Sequence, residues 1–330
     1  MNDISKLKLA FIGVSHWHVP LYLESIKKHN LNVISVSDQN IELAGRIAAD
    51  LGCKAYADAN SLLEYEKPDF VFAFDSHSNM PDLAKTLISL KIPFSIEKPV
   101  GLCSEEVRKI KELAEKGEVF CAIPFVWRYS SIVKELKLSI LPEDILHMSF
   151  KFIAGYPARY LKTSPWMLNK ATAGGGCMTN LGVHFIDLAL LLSNSKSAQV
   201  EGSVFHYSWG YDIEDYAVSL LKLENGATLE LETGYAYPMD DKSKRDNLWT
   251  IVTKKGYYSL GVGYFESREF NGSIKKVEID TDSDSYYPVF VYNTLCEYVQ
   301  GKAPTTGLND MLIVRGVLDD IILKSGVNTK

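Results

Sequence analysis

Lys8-Leu-Ala-Phe-Ile-Gly13 is followed, after a helical stretch ending near Lys28, by Val33-Ile-Ser-Val-Ser-Asp38. Two short apolar runs separated by a helix read as buried parallel strands joined by a crossover. The pattern then repeats along the chain. Ile41 to Leu51 reads as a helix closed by Gly52, and Asp69-Phe-Val-Phe-Ala-Phe74 as another continuous apolar strand. Met80 to Leu90 is the next helix and Pro93-Phe-Ser-Ile-Glu97 the next strand. Ser104 to Lys116 is a further helix, with Ser104 as N-cap and Gly117 as stop, and Val119-Phe-Cys-Ala-Ile123 closes the layer. Apolar strands alternating with helices call for a parallel sheet covered on both faces.

Past about Arg128 the texture changes. Strands lengthen and alternate polar with apolar over Leu146–Ala154, Gln199–Ser208, Ala217–Leu223, Ala227–Tyr235 and Leu248–Thr253. Asn225-Gly226 is a hairpin signal. Alternation with hairpins predicts an antiparallel sheet, one face on a core and the other on water or a partner. The expected fold is therefore α/β: a Rossmann-like parallel sheet in residues 1–125, then an α+β domain with an open, mostly antiparallel sheet in residues 126–330. A last helix, about Asn309 to Lys324, is expected to pack back on the first domain.

Composition excludes several classes. At 330 residues the chain suits two domains, and 46% hydrophobic with 23% charged residues allows a sizeable core. A formal net charge of −6 gives no general attraction to nucleic acid or to an anionic membrane. No run of eighteen apolar residues appears, and Met1-Asn-Asp-Ile-Ser-Lys6 leads into a strand rather than a signal-peptide apolar region. The five cysteines are scattered, odd in number and without CxxC spacing, which reads as reduced thiols in a cytoplasmic protein and argues against a zinc framework.

A dinucleotide-binding turn uses glycines so that backbone can approach a pyrophosphate at a helix N-terminus. In Gly13-Val-Ser-His-Trp-His18, Ser15 and His18 stand where the second and third glycines of G-x-G-x-x-G would be. Ser15 still offers a backbone N–H and a hydroxyl, while His18 implies a changed turn. Asp38, 25 residues after Gly13, lies where a carboxylate receives adenosine ribose hydroxyls and repels a 2′-phosphate. NAD is thus the expected cofactor, with NADP not excluded; the plain alternative is that Asp38 caps the next helix. His16 and His18 flank Trp17, but no acidic or cysteine partner is near in sequence, so no metal is expected. Ser76 and Asn79, in the polar loop after the third long strand, are candidate cofactor contacts.

Two segments carry the chemistry. Lys98 follows a buried strand directly and precedes Pro99. Ligands gather at the carboxyl ends of such strands, so its ammonium is placed to stabilise an alkoxide as hydride leaves. Gly174-Gly-Gly-Cys-Met-Thr-Asn-Leu-Gly-Val-His-Phe-Ile-Asp187 then leads into an almost wholly apolar helix. Its polar exceptions, Asn180, His184 and Asp187, are spaced four and three apart on one stripe. His184 has the chemistry of a general base. Asp187 reads as structural or capping.

Glu97-Lys98-Pro99 and Gly174–Asp187, in that order after a βαβ pattern, resemble the Gfo/Idh/MocA family of nicotinamide-dependent oxidoreductases. The resemblance implies that Lys98 positions and polarises the substrate, with a Lys-Pro bond that is often cis, and that His184 takes the substrate proton. It implies a cofactor-binding set of Gly13, Ser15, His16, His18, Asp38, Ser76, Asn79, Glu97 and Lys98. Asn180 departs from the family's aspartate, and an amide orients substrate without adding negative charge. Phe125-Val-Trp-Arg128-Tyr129 resembles the crossover segment, with a structural role for Arg128. Tyr156, Arg159, Tyr160, Lys162 and Trp166 suit a polyhydroxylated ligand or a subunit interface. The expected activity is hydride transfer on a sugar, polyol or derivative, in a homodimer or homotetramer paired through the open sheet. A nucleotide- or sugar-binding sensor, and a lyase or glycosidase that retains its NAD, are the alternatives.

Overall fold

The computed structural model describes residues 3–238 and 244–326, which fall into two compact units. Unit 1 comprises residues 1–124, 162–166 and 284–312, and unit 2 comprises 125–161, 167–283 and 313–330.

Unit 1 alternates β1 (Leu9–Ile12), α1 (Val19–Lys28), β2 (Val33–Ser37), α2 (Ile41–Leu51), β3 (Lys54–Tyr56), α3 (Ala59–Glu66), β4 (Phe70–Ala73), α4 (Met80–Ser89), β5 (Phe94–Ile96), α5 (Ser104–Gly117) and β6 (Cys121–Ala122). The six strands are parallel, in the order β3-β2-β1-β4-β5-β6. Every residue of β1, β4 and β5 is buried, which is why β1 and β4 are continuous apolar runs and β5 is interrupted only by Ser95. Strand order reverses between β1 and β4, and ligands of such sheets sit beyond the carboxyl ends of the strands at that point. The segments that follow Ile12 and Ala73 lie at that point.

The helix ends follow local chemistry. Asn40 caps α2 through the Leu43 N–H at 3.1 Å, and Gly52 closes it with φ 68°. Helix α5 corrects the sequence reading. Ser104 is its first helical residue, Cys103 holds the cap position, and the chain turns at Glu118 (φ 53°), one residue past Gly117. Cys103 makes no side-chain cap bond, and the Glu106 carboxylate in the first turn accepts the Leu102 N–H at 2.6 Å, which fixes the approach to the helix.

Unit 2 opens with α6 (Ser131–Ser139) and the long strand β7 (Ile145–Gly155), then α7 (Lys170–Ala173), one π-helical turn at Met178–Gly182, and α8 (Val183–Ser193). Strands β8 (Ala198–His206), β9 (Tyr216–Leu223), β10 (Thr228–Tyr237), β11 (Arg245–Thr253), β12 (Gly256–Gly261), β13 (Tyr264–Glu269) and β14 (Ile274–Glu278) follow. They form one eight-stranded sheet in the order β14-β13-β12-β11-β7-β10-β9-β8. All neighbours are antiparallel except β7 and β10, whose parallel pairing is allowed by the helical crossover between them. The inner face packs Phe150, Phe152 and Trp249 around Phe185 of α8 at ring separations of 5.5–6.0 Å. Burying one such ring contributes about 1.5–3 kcal/mol.

The helical run 170–193 is apolar and long enough to cross a membrane by composition, yet 83% of its most apolar window is buried inside the protein. Beyond the sheet, α9 (Tyr287–Val299) lies in unit 1, where the Ser25 hydroxyl of α1 donates to the Pro288 carbonyl at 2.9 Å. The boundary between the units falls inside α10 (Leu308–Lys324), after Leu312.

Candidate active site

The turn after β1 is built around one glycine. Gly13 has φ 80°, and a Cβ there would lie 2.8 Å from the Phe74 carbonyl carbon and closer still to its oxygen. Only glycine lets the chain after β1 pass so near the chain after β4. Asp38, buried at the end of β2, then ties the turn down. Its carboxylate accepts the Ser15 N–H at 2.7 Å and the Asn40 N–H at 2.8 Å. The Ser15 N–H therefore spends its bond on Asp38, and the cap of α2 is Asn40, not Asp38.

His18 occupies the N-cap position of α1. Its Nδ1 lies 3.0 Å from Oε1 of Glu97, which follows β5, and the Tyr22 hydroxyl donates to the same oxygen at 3.0 Å. The Tyr287 hydroxyl contacts the His18 ring at 3.1 Å, and Nδ1 of His16 accepts the His18 N–H at 3.2 Å. Burial opposes charge on Glu97, but His18, His16 and Lys98 outweigh it and hold the carboxyl well below its usual range. Burial drives His16 well below an ordinary histidine and Tyr22 well above an ordinary phenol.

Lys98 is 2% exposed and joined to Pro99 by a cis bond. Burial lowers its pKa to about 8, against the opposing pull of Glu97. In the loop after β4, Asp75 organises the neighbourhood: it accepts the Ser76 N–H at 2.6 Å and the Asn79 side-chain amide at 3.1 Å. Ser76 is buried against Ser78, with their hydroxyls 3.1 Å apart, whereas Asn79 opens α4 at the surface. Trp166 completes this part of unit 1, its ring 4.9 Å from His77 and 5.8 Å from Trp17.

In unit 2, Asn180 lies in the π-helical turn and His184 in the first turn of α8. The Asn180 amide donates to the hydroxyls of Tyr235 at 3.0 Å and Tyr160 at 3.2 Å. Arg159 lies over both tyrosine rings, at 4.7 and 5.4 Å, and donates to the Tyr160 hydroxyl. His184 is half-buried, edge-on to Phe125 at 6.3 Å. Asp187 takes Arg128 in a fork, with Nε 2.9 and 3.1 Å from its two oxygens. That pair anchors the crossover segment to α8.

Glu214 is the residue sequence reasoning missed. Its buried carboxylate accepts the N–H of Gly176 at 2.6 Å, of Met178 at 3.1 Å and of Thr179 at 3.5 Å, and its carbonyl accepts the Cys177 N–H at 3.0 Å. One glutamate thus collects the open amides of the turn that carries Asn180. Burial raises its pKa and those amides oppose the rise. Tyr22, Tyr235 and Tyr287 were missed as well. Each is a buried aromatic whose hydroxyl matters only through partners far away in the chain.

Residues 7–125 match the family model described as an oxidoreductase family with an NAD-binding Rossmann fold, Gfo/Idh/MocA, and residues 144–259 match the Gfo/Idh/MocA C-terminal domain. D-glucoside 3-dehydrogenase of Escherichia coli K12 is 24% identical over 266 residues, covering 72% of this chain and 73% of that protein. An oxidoreductase from Agrobacterium radiobacter, solved with NAD+, L-tartaric acid and magnesium, superposes with TM-score 0.85 at 16% identity, covering 98% of this chain and 97% of that one. Levoglucosan dehydrogenase, solved with NADH and levoglucosan, gives TM-score 0.84 at 14% identity over 97% of each chain.

Proposed function

The chain belongs to the Gfo/Idh/MocA family of NAD-binding oxidoreductases, and we propose that within it this chain moves a hydride between nicotinamide and a hydroxyl or carbonyl of a sugar, polyol or sugar derivative. The sugar class is supported by the relatives' names, D-glucoside 3-dehydrogenase and levoglucosan dehydrogenase. The observation that carries the reading is Lys98, a buried ammonium just past β5 in a sheet whose order reverses nearby, at β1 and β4.

Gly13, with positive φ, lets the turn after β1 close tightly against the end of β4, which is the part the first glycine of a dinucleotide-binding turn plays. Gly13 and the Ser15 hydroxyl line the dinucleotide's pyrophosphate and Asp38 receives its adenosine ribose, with Ser76 and Asn79 further along its length. The Asp38 carboxylate disfavours a 2′-phosphate and selects NAD. The nicotinamide, when bound, supplies the hydride acceptor. Lys98 donates a hydrogen bond to the substrate oxygen and stabilises the charge that grows on it. His184 takes the hydroxyl proton, and Asn180, oriented by Tyr160 and Tyr235, holds a neighbouring hydroxyl. Val204, Leu220 and Leu248, exposed on the outer face of the large sheet, support pairing of two copies through that face in a cytoplasmic enzyme.

Titration with NADH and NADPH, followed by nicotinamide fluorescence, is the first test. Tighter binding of NADH supports the reading, and a preference for NADPH removes the role of Asp38. Lys98→Met is then expected to lower turnover on the best sugar by roughly 10²–10³-fold. Cofactor affinity should stay within about threefold, worth some 0.7 kcal/mol. A fully active variant would sink the assignment.

A further inference from the structure

His16 and His18 have no metal-ligating neighbour in sequence, and the fold supplies one. Glu97 arrives from the end of β5, and the ligand atoms of His16, His18 and Glu97 all lie within 4.8 Å of one another. We propose that these three residues bind one divalent transition-metal ion of the zinc class. The assignment does not rest on the hydride-transfer reading.

Three observations carry it. The first is the donor set. Two imidazoles and one carboxylate suit zinc and its neighbours in the first transition row, and they leave a fourth position for water or a ligand oxygen. The second is burial. His16 is 5% and Glu97 1% exposed, so the ligands are withdrawn from competing water, while the half-buried His18 keeps a solvent-facing edge.

The third is an unmet bond. Oε1 of Glu97 receives both His18 and Tyr22, but Oε2 is buried with no hydrogen-bond partner. A buried carboxylate oxygen left so is costly, and a cation within reach is the direct remedy. One outer contact of the kind that orients metal ligands is already in place, the Tyr22 hydroxyl on Glu97 at 3.0 Å, and the Tyr287 hydroxyl lies 3.1 and 3.3 Å from the two ring nitrogens of His18. An ion held through Nδ1 of His16 would replace the 3.2 Å bond from the His18 N–H, which is already long.

The test uses the full-length protein, stripped with a chelator and free of nucleotide. Zn2+ is titrated in competition with a chromophoric chelator, and Co2+ serves as a spectroscopic probe. The expected result is uptake of about one ion per chain, with cobalt bands of a nitrogen–oxygen site and no thiolate charge transfer. His16→Ala and Glu97→Gln should each weaken binding by roughly 10–100-fold or more. His147→Ala, which removes a histidine bonded to Thr228 in unit 2, should leave affinity unchanged.

Zinc X-ray absorption on the wild type needs no variant, and should show imidazole scattering for two histidines without sulfur. Uptake no tighter than in His16→Ala, or a spectrum with sulfur or a single imidazole, would overturn the site. Nucleotide affinity, measured separately, can fail without touching this result.

Discussion

Gly176→Ala tests whether Glu214 fixes the turn that carries Asn180. A Cβ at this position would meet the Glu214 carbonyl oxygen at well under 3.0 Å, and would lie 2.9 Å from its carbonyl carbon and 3.1 Å from its nitrogen. Relief by a small shift is blocked, because the same glutamate holds the turn through the Gly176 N–H at 2.6 Å and the Cys177 N–H at 3.0 Å. Overpacking against backbone costs about 1–3 kcal/mol, and losing one hydrogen bond to a buried carboxylate about 1.5–3 kcal/mol. The sum, about 2.5–6 kcal/mol, corresponds to a fall in Tm on the order of 10 °C for a unit of this size. Calorimetric scans at matched protein concentration measure it. Gly202→Ala, in β8 with nothing within 4 Å of the added methyl, is the control, and should be neutral or stabilising by up to about 1 kcal/mol. If Gly176→Ala melts within about 2 °C of wild type while the control behaves, the turn is not held by Glu214 and the argument fails.

Three further outcomes are expected. His184→Ala should cut turnover by about 10²–10⁴-fold with little change in NADH affinity, and a loss confined to KM would assign it to binding instead. Asp187→Asn should cost about 3–5 kcal/mol by removing the buried carboxylate that the Arg128 guanidinium grips, and Arg128→Met together with Asp187→Leu should recover most of that in thermal denaturation; equal losses in single and double variants would contradict it. Asp38→Ser should shift relative affinity toward NADPH by about tenfold, equivalent to about 1.4 kcal/mol of relieved repulsion, whereas an unchanged ratio in paired fluorescence titrations would place the ribose elsewhere.

The parallel sheet was legible because burial on both faces writes itself as nearly unbroken apolar runs, and β1, β4 and β5 fall within a residue or two of their expected bounds. Strand β3 escaped because, at the sheet edge, Lys54 is exposed and Ala55 and Tyr56 are only half-buried. In the second sheet, period-two alternation is the same in either chain direction, so the parallel pairing of β7 with β10 left no trace in sequence. Strand β14, Ile-Lys-Lys-Val-Glu, is exposed at four of its five positions and carries no alternation to read. The site divides along the same line. Lys98 and His184 announce themselves by local motif, whereas Glu97 meets His18 and Tyr22 across 79 and 75 residues and Asp187 meets Arg128 across 59.

The altered turn gains its sense from those distant contacts. In a glycine-rich fingerprint the second and third glycines let the backbone come close by having no side chain. Here, at the second position, Ser15 gives its N–H to Asp38 at the end of β2. At the third, His18 turns its ring to Glu97 at the end of β5. Each departure is matched by a buried carboxylate delivered from a strand end, so the turn is fixed by polar contacts to the sheet where glycine packing would otherwise fix it. The two substitutions are therefore coupled to Asp38 and Glu97. Glycine at position 18 alone would remove the His18 contact and leave the buried Glu97 carboxylate to the Tyr22 hydroxyl, so the turn and the carboxylate depend on each other.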